Sequence, residues 1–284
     1  MTVTRGSARW WDGGWTAQVT RRRRSRGAAR ILSWNTMLIL GNTAKLYCLN
    51  WLAERIEAST EFSVLDLGCG TGLPFKALLE RYPHVRYIGI EPSRKDAEIA
   101  RRTLPGATIV NALAYDAHAR LQEQFHSVVS FSAFEHVYRR ERYLRSAKDC
   151  LKPDGHVLIN YDSGHFVRIK AGVPARANSL RHYLLARLGQ EHRYEAFVSE
   201  AVFRNLASKV GLTICVAHSF NTWLKSIYRF VPDAHKEAFM HRWLELELWL
   251  DEISTPYTDA QAAWWLTRNF ILRHDPPEIG EPAL

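Results

Sequence analysis

The chain contains 284 residues, of which 46% are hydrophobic and 24% are charged, a composition that excludes intrinsic disorder and favours one large globular domain or two small ones. The formal net charge is +9, but residues 1–30 hold eight arginines against one acid, so the body of the chain carries little of it. This distribution does not favour nucleic acid as a partner. We expect residues 1–30 to form a basic, poorly ordered N-terminal arm.

The cysteines and the apolar runs restrict the environment of the chain. Four cysteines, at positions 48, 69, 150 and 215, form no CxxC pair and have no histidine at zinc-ligand spacing, so neither a disulfide framework nor a metal site is predicted. A reducing, cytoplasmic location is favoured. No apolar run reaches the roughly 18 residues of a membrane span. The nearest candidate, Ile31 to Ala53, is interrupted by polar residues and predicts amphipathic helices.

Residues 31–60 are expected to form N-terminal cap helices, after which short apolar runs alternate with helical patterns. This alternation is typical of an α/β fold in which a parallel sheet carries helices on both faces. The seven predicted strands are Ser63–Leu67, Arg86–Glu91, Thr108–Leu113, Ser127–Ser132, His156–Tyr161, Leu212–His218 and Trp265–Arg273. Three predicted helices end before turns that contain proline or glycine: Leu73–Arg81, Arg94–Thr103 and Arg140–Leu151.

Two helical insertions, 162–195 and 222–263, interrupt the domain that we assign to residues 61–284. The first contains a helical stretch at Ser179–Leu188 and six basic residues against three acids; we favour a solvated helix face over an anion clamp. The second contains a predicted helix, Ala234–Ile253, with an apolar stripe of six residues: Phe239, Met240, Trp243, Leu246, Leu250 and Ile253.

All ten tryptophans lie before residue 52 or after residue 222. Two interpretations are open. The N-terminal helices and the second insertion would form an aromatic cap that lines a pocket for an apolar or aromatic ligand, or the tryptophans only attach the added helices to the sheet.

The most informative motif is the run Val64–Gly72, with the sequence VLDLGCGTG, which a predicted helix follows at once. Its three glycines allow a tight turn and a close approach of a ligand to the backbone. Nineteen residues later the second strand ends in Glu91, whose carboxylate can accept hydrogen bonds from both hydroxyls of a ribose. Asp66, just upstream of the turn, would repel a pyrophosphate but suits a cationic amino-acid ligand.

With these features the chain resembles the class I S-adenosylmethionine-dependent methyltransferases, in which LDLGCGTG is the cofactor loop. Two further stretches are in register with that family: Ser127–Val137, with its Glu-His-Val turn, and Leu151–Ile159, with its Leu-Lys-Pro-Asp-Gly turn. The resemblance covers about Phe62 to Tyr161. It implies a seven-stranded Rossmann-like methyltransferase sheet with a helical cap, and S-adenosylmethionine as the cofactor.

The resemblance assigns cofactor roles by position. Asp66 and the glycine loop would hold the methionine end, Glu91 the ribose, and the backbone at Ser132 and Ala133 would flank the amino group. The cofactor-binding residues implied in this way are Asp66, Gly68, Cys69, Gly70, Gly72, Glu91, Pro92, Leu113, Ala114 and Ser132.

The adenine contact departs from the family's pattern. The family usually has an acid after the third strand that binds the adenine amine, whereas Leu113 and Ala114 occupy this place here, and Asp116 follows a little later. Either the backbone at Leu113 and Ala114 or a displaced Asp116 would make the contact.

A base is needed only when the methyl acceptor is protonated at the working pH. His136 is the candidate, because the resemblance places its turn beside the transferred methyl and the pKa of histidine suits the task. It is equally open that Glu135 and His136 only shape the turn. Tyr161 is the second catalytic candidate; His165 is a further pocket residue, and Tyr47 on the N-terminal helix would close over both.

The turn that follows the fourth strand restricts the acceptor. It lacks the Asn/Asp-Pro-Pro-aromatic sequence of DNA and amide N-methyltransferases. We therefore expect O-, N- or C-methylation of a small, aromatic or apolar metabolite, with the oligomeric state undetermined. Two alternatives are open: a cyclopropane-fatty-acid-synthase-like enzyme acting on lipid, whose turn Phe134–Val137 also resembles, and a non-catalytic methyltransferase-like binding protein.

Overall fold

The structure is a computed structural model that describes residues 42–163, 180–188, 191 and 194–275. In chain order its helices and strands are α1 (Thr43–Glu57), β1 (Ser63–Leu67), α2 (Lys76–Arg81), β2 (Arg86–Ile90), α3 (Arg94–Thr103), β3 (Thr108–Val110), α4 (Ala117–Leu121), β4 (Phe125–Phe131), α5 (Arg140–Asp149), β5 (Leu151–Asp162), α6 (Leu180–Arg187), α7 (Glu200–Lys209), β6 (Leu212–Thr222), α8 (Asp233–Ile253) and β7 (Trp265–His274). The predicted arm at 1–30 and the predicted cap helices before residue 42 lie outside the described residues, as does His165.

The seven strands form one sheet in the order β3-β2-β1-β4-β5-β7-β6. Strands β1 to β5 pair in parallel, whereas β7 lies antiparallel between β5 and β6. The predicted seven-stranded α/β fold is confirmed, but a fully parallel sheet is wrong. The reason is that the second insertion leaves β6 and enters β7 at the same edge of the sheet, where Thr222 pairs with Trp265.

Several strand boundaries differ from the sequence prediction, most of all those of β3, β5 and β6. The Leu-Lys-Pro-Asp-Gly turn is part of β5, as an irregularity in which the pairing moves from Phe125–Leu151 to Ser127–His156. At the other end of the sheet, β3 stops at Val110, because the chain from Asn111 onwards leaves the sheet to line a cavity.

The core has two layers, one on each face of the sheet. Helices α1, α2, α3 and α8 contribute to one buried cluster, and α4, α5 and α7 to the other. The two-faced covering that the alternation predicts is therefore present. Among the helices of the described residues, none combines the length with the apolar content that crossing a membrane requires.

The packed face of α8 overlaps the predicted apolar stripe only in part. Leu246 and Ile253, two members of that stripe, are 37% and 59% exposed, while Met240, Leu244 and Glu247 are buried. The face of α8 that contains Glu247 packs against the protein because the fully buried carboxylate of Glu247 accepts five hydrogen bonds. They come from the backbone N–H groups of Asn221 and Thr222 and from the side chains of Thr43, Thr222 and Trp243.

We predict that Glu247→Gln lowers the free energy of unfolding by about 1–3 kcal/mol, since an amide replaces an acceptor that faces five donors. Chemical denaturation measures this change. The matched control is Glu245→Gln, two residues earlier on the exposed side of α8, which should change stability by less than about 0.5 kcal/mol. Equal effects of the two variants would contradict the role given to Glu247.

Candidate active site

A cavity of about 740 Å³ lies at the edge of the sheet where β1 to β4 end. The loop after β1 forms its floor, and residues that follow β2, β3 and β4 form its walls. In a parallel sheet the carboxyl ends of neighbouring strands meet at one edge, which is the usual place for a ligand in this class of fold. The cavity is therefore the candidate site.

The loop after β1 takes its shape from two glycines. Gly68 has a φ of +81°, and a Cβ there would lie 2.7 Å from the Cβ of Ala133. Gly70 has a φ of +54° and no atom within 4 Å of the position of a Cβ. The loop is held down by the N–H groups of Gly68 and Cys69, which donate to the carbonyl oxygen of Ile90 at 2.8 and 3.1 Å. A ligand can thus approach the bare backbone.

The third glycine of the motif has another role. Gly72 does not line the cavity, in contrast to its predicted place among the cofactor-binding residues. Its φ is +73° and a Cβ there would lie 2.7 Å from Cδ1 of Leu104. The residue therefore closes the turn against the end of α3, beneath the site.

Asp66 presents a buried carboxyl group to the cavity. Its Oδ2 accepts a hydrogen bond of 2.7 Å from the hydroxyl of Tyr87, while its Oδ1 is buried without a partner. Burial raises the pKa of Asp66 to about 7, against the opposing effects of the Tyr87 hydroxyl and the Lys45 ammonium. A donor or cation that enters the cavity would satisfy this oxygen.

Glu91, at the end of β2, connects two loops. One carboxylate oxygen accepts from the N–H of Gly70 and the other from the N–H of Ser93, each at 2.8 Å. Burial raises the pKa of Glu91, and the two N–H groups oppose that rise. Each oxygen keeps a lone pair for a ligand hydroxyl. Pro92 follows Glu91 in the cavity wall.

The wall after β3 contains Leu113 and Ala114 as predicted. The alternative candidate, Asp116, forms an ion pair with Arg142 at 2.5 Å and is not among the lining residues. Of the two positions that the sequence left open, Leu113 and Ala114 therefore lie at the cavity and Asp116 does not.

The turn after β4 lies beside the loop after β1. Ser132 lines the cavity with a φ of +53°. Its N–H donates to the side chain and to the carbonyl oxygen of Asn160, at 3.1 and 3.0 Å. This clamp from β5 fixes the turn against the cavity.

His136 lines the cavity, whereas the adjacent Glu135 is buried beneath the turn. The Nδ1 atom of His136 lies 3.1 Å from the carbonyl oxygen of Tyr194. A carbonyl only accepts, so Nδ1 carries the proton and Nε2 of the neutral ring has the free lone pair. Glu135 accepts from the N–H of Asp162 at 3.2 Å, and burial raises the pKa of Glu135 to about 8. Glu135 shapes the turn, and His136 is available to a ligand.

Two predicted pocket residues lie elsewhere. Tyr161 is fully buried against Phe203 and Phe270, since its position on β5 faces the opposite layer of the core; it does not line the cavity. Tyr47 packs its ring 5.2 Å from the rings of His218 and Phe220, which likewise keeps it out of the cavity.

The tryptophans do not form the predicted pocket. No tryptophan whose side chain the structure describes lines the cavity. Trp51 packs under the guanidinium of Arg55, and Trp249 and Trp264 are more than half exposed. Trp51, Trp243 and Trp265 pack against the core or bond to buried groups and fit the other interpretation, in which tryptophans attach the added helices to the sheet. Trp249 and Trp264 support neither interpretation.

Several cavity residues were not predicted from the sequence, among them Lys45 and Glu191. Lys45 reaches the site from α1; burial lowers its pKa, and the carboxylates of Asp162, Asp66 and Glu135 oppose this. The sequence feature that could have indicated Lys45 is that it is the one charged residue between Ile31 and Ala53. Glu191, in the first insertion, also lines the cavity, and no local pattern marks it.

The sequence profile of the family described as methyltransferase domain matches residues 40–217 of this chain. The chain is similar to an uncharacterized methyltransferase of Oceanobacillus iheyensis, with 37% identity over 110 residues, which cover 38% of this chain and 50% of that protein. It is also similar to the trans-aconitate 2-methyltransferase of Acidovorax sp., with 38% identity over 61 residues, 22% of this chain and 24% of that protein. The matches thus span half or less of these relatives.

Among solved structures, the fold is similar to that of the plantazolicin methyltransferase BamL, crystallised with a triazolic desmethylPZN analog and SAH. The TM-score is 0.53 at 14% sequence identity, over 83% of this chain and 86% of that one. This likeness concerns the fold alone.

The buried carboxyl of Asp66 makes the stability of the ligand-free protein depend on pH. Because the pKa of Asp66 in the folded state is about 7 against 3.8 as its ordinary value, its stabilising contribution is complete below about pH 4 and is lost as the pH rises to about 7. We predict that Asp66→Asn is more stable than the original chain at pH 8, by roughly 1–3 kcal/mol, and that the difference shrinks towards pH 4.

Chemical denaturation between pH 4 and pH 8 measures this difference. Asp154→Asn is the control, because Asp154 is exposed on β5 and its replacement should change the stability at pH 8 by less than about 0.5 kcal/mol. An Asp66→Asn variant that is less stable than the original chain at pH 8 would contradict the prediction.

Proposed function

The chain belongs to the methyltransferase domain family, and from that premise we propose that it transfers a methyl group from S-adenosylmethionine to a small-molecule acceptor. The observation that carries the proposal is the unpartnered, buried Oδ1 of Asp66 at the floor of a glycine-lined cavity. A cationic ligand with a donor group is what such an oxygen requires.

The residues of the cavity fit S-adenosylmethionine along its length. The ammonium of its methionine part would satisfy Asp66, and its ribose hydroxyls would donate to the lone pairs that Glu91 keeps free. The open space above Gly70, where a Cβ would have no neighbour within 4 Å, admits the ligand against the backbone. The chain thus offers a partner for each of these polar groups.

When bound, S-adenosylmethionine supplies a methyl group on a sulfonium centre, which an acceptor's lone pair can attack in line as the bond to sulfur breaks. The protein's part is to position and to desolvate. Asp66 would pair with the ammonium of the amino-acid end, and the two hydrogen bonds from Ser132 to Asn160 fix the wall beside it. Phe131 and Val137 line the same region and exclude water from it.

His136 is the proposed base for an acceptor that is protonated at the working pH. Its Nδ1 is held by the carbonyl of Tyr194, which leaves Nε2 to accept a proton from a hydroxyl or an ammonium. Glu195 lies 4.0 Å from Nε2 and would stabilise the charged ring that results. Tyr161 is left out of the proposed site because the protein core surrounds it.

The size of the cavity, which the cofactor and the acceptor would share, supports a small acceptor. At about 740 Å³ it lies within the range of small-molecule sites, roughly 300–1,000 Å³. The name of the Acidovorax relative, which acts on trans-aconitate, supports the same class. We keep an aromatic or apolar metabolite as the expected acceptor, with Phe131 and Leu73 rather than tryptophans as its apolar contacts.

The free cysteines support the expected cytoplasmic location, since three of the four are buried as thiols and none is paired in the described residues. We do not propose nucleic acid as a partner, because the charge excess belongs to residues 1–30. The division into an arm, cap helices and a methyltransferase domain also remains our proposal.

Cofactor binding should depend on the glycine loop. We expect calorimetry to give micromolar affinity for S-adenosylmethionine, and Gly70→Val to weaken it at least tenfold. The variant strains a backbone with a φ of +54° and fills the space of the ligand. The matched control is Gly106→Val, in the loop before β3, where a Cβ would also meet nothing within 4 Å but φ is not positive. Equal affinities for both variants would contradict the assignment.

The base is tested by His136→Ala. We expect slow transfer of labelled methyl to a metabolite extract, with the calorimetric affinity for S-adenosylmethionine retained. His118→Ala, on the exposed side of α4, is the control and should leave both quantities unchanged. A His136→Ala variant with full activity would show that His136 is not the base. Label found on acyl chains of added lipid would favour the cyclopropane-synthase-like alternative.

A further inference from the structure

Three large apolar side chains are exposed on a short helix of the second insertion. A 3₁₀-helix spans Trp223–Phe230, directly after β6. Its residues Leu224, Ile227 and Phe230 are 52%, 53% and 87% exposed. Because a 3₁₀-helix has three residues per turn, side chains at a spacing of three lie on one face. The three residues therefore form one apolar ridge, and contiguous exposed apolar surface is characteristic of an interaction site.

The apolar ridge lies at the edge of the sheet that holds the cavity. Strands β5 and β6 both pair antiparallel with β7, so they run in the same direction and end at the same edge as β1 to β4. Trp264, which is 59% exposed, lies at this corner of the sheet, because the next residue, Trp265, pairs with Thr222 at the end of β6. Tryptophan is enriched where proteins meet the boundary between water and lipid.

The charges near the apolar ridge are positive. The 3₁₀-helix contains Lys225 and Arg229 and no acid. The nearest acid along the chain, Asp233, forms an ion pair with Lys236 at 2.5 Å, so it does not offset them. Exposed apolar side chains next to basic residues are typical of helices that bind at the surface of an anionic membrane.

The basic arm joins the body of the chain next to the apolar ridge. Residues 1–30 hold eight arginines against one acid and are connected through residues 31–41 to Asn42. The side-chain oxygen of Asn42 accepts from the amide of Asn221 at 3.1 Å, and Asn221 lies two residues before the 3₁₀-helix. Arginines near an anionic bilayer add an electrostatic attraction to that of inserted apolar side chains.

The chemistry of the apolar ridge favours a bilayer over a peptide as its partner. The side chains of leucine, isoleucine and phenylalanine neither donate nor accept hydrogen bonds, so the ridge offers a peptide no polar contact that would orient it. A bilayer requires none.

We propose that the apolar ridge and the basic residues around it dock the protein on an anionic lipid bilayer, with Leu224, Ile227 and Phe230 inserted at the boundary between headgroups and acyl chains. The inference goes beyond the proposed function and does not depend on it, since it concerns where the protein binds and not what it transfers. A docked protein holds the cavity's edge of the sheet towards the bilayer, in which apolar metabolites accumulate.

Co-sedimentation of the full chain with vesicles tests the proposal. The original chain should bind vesicles of equal parts phosphatidylcholine and phosphatidylglycerol at least about tenfold more tightly than vesicles of phosphatidylcholine alone. Ile227→Glu should weaken binding to the anionic vesicles at least about tenfold, because a carboxylate replaces an apolar group that enters the bilayer. Phe230→Glu should have the same effect. Both side chains are exposed, so both variants should keep the melting temperature of the original chain.

Ile253→Glu is the matched control. Ile253 is the same residue type as Ile227 and is 59% exposed, but it ends α8 away from the apolar ridge. Glu247 of that helix bonds to Thr222 at the end of β6, whereas Asp251 bonds to Ser219, further back along the strand. Ile253→Glu adds the same charge at this distant place and should bind the anionic vesicles as the original chain does.

Failure of the original chain to bind the anionic vesicles would overturn the proposal, and so would equal weakening by Ile227→Glu and Ile253→Glu. Binding that neither Ile227→Glu nor Phe230→Glu weakens would assign the membrane contact to the basic arm alone and overturn the role of the apolar ridge. A dimer in size-exclusion chromatography that Ile227→Glu converts to a monomer would assign the ridge to a second copy of the chain instead.

Discussion

The buried carboxyl of Asp66 is the constraint on which the site depends. One of its oxygens is held by Tyr87 and the other has no partner, so the ligand-free protein carries an unfavourable polar group at the end of β1. Its raised pKa of about 7 has the same origin, the loss of water around a charge. A cation that binds there gains an interaction that the protein alone does not make.

The other residues at this edge of the sheet are arranged around the carboxyl group of Asp66. The positive φ angles of Gly68 and Gly70 turn the chain away from β1 without closing the space above it, and Glu91 ties Gly70 to the loop after β2. Lys45 approaches from α1, whose N-terminus is in turn fixed by Glu247 on α8. The second insertion therefore affects the site indirectly, because it fixes the position of the helix that carries Lys45.

The sequence allowed the part of the site that is continuous in the chain to be predicted. Asp66, the glycine loop and Glu91 follow directly from strand ends and turn chemistry, which depend on near neighbours. Gly72 does not line the cavity, because it packs against Leu104 at the end of α3, and Tyr161 does not, because alternation along β5 turns it to the opposite layer of the core. Glu191 reaches the cavity by tertiary contacts alone. The packed face of α8 was predicted only in part for the same reason, since Glu247, whose carboxylate binds groups on three other segments of the chain, is buried there while Leu246 and Ile253 are exposed.

A crystal structure of the protein grown with S-adenosylhomocysteine tests most directly whether this cavity is a cofactor site. We predict the ligand along the edge of β1, β2 and β3, with its ammonium near Oδ1 of Asp66 and its ribose hydroxyls on Glu91. An empty cavity at saturating ligand, or a ligand bound elsewhere on the protein, would contradict the assignment.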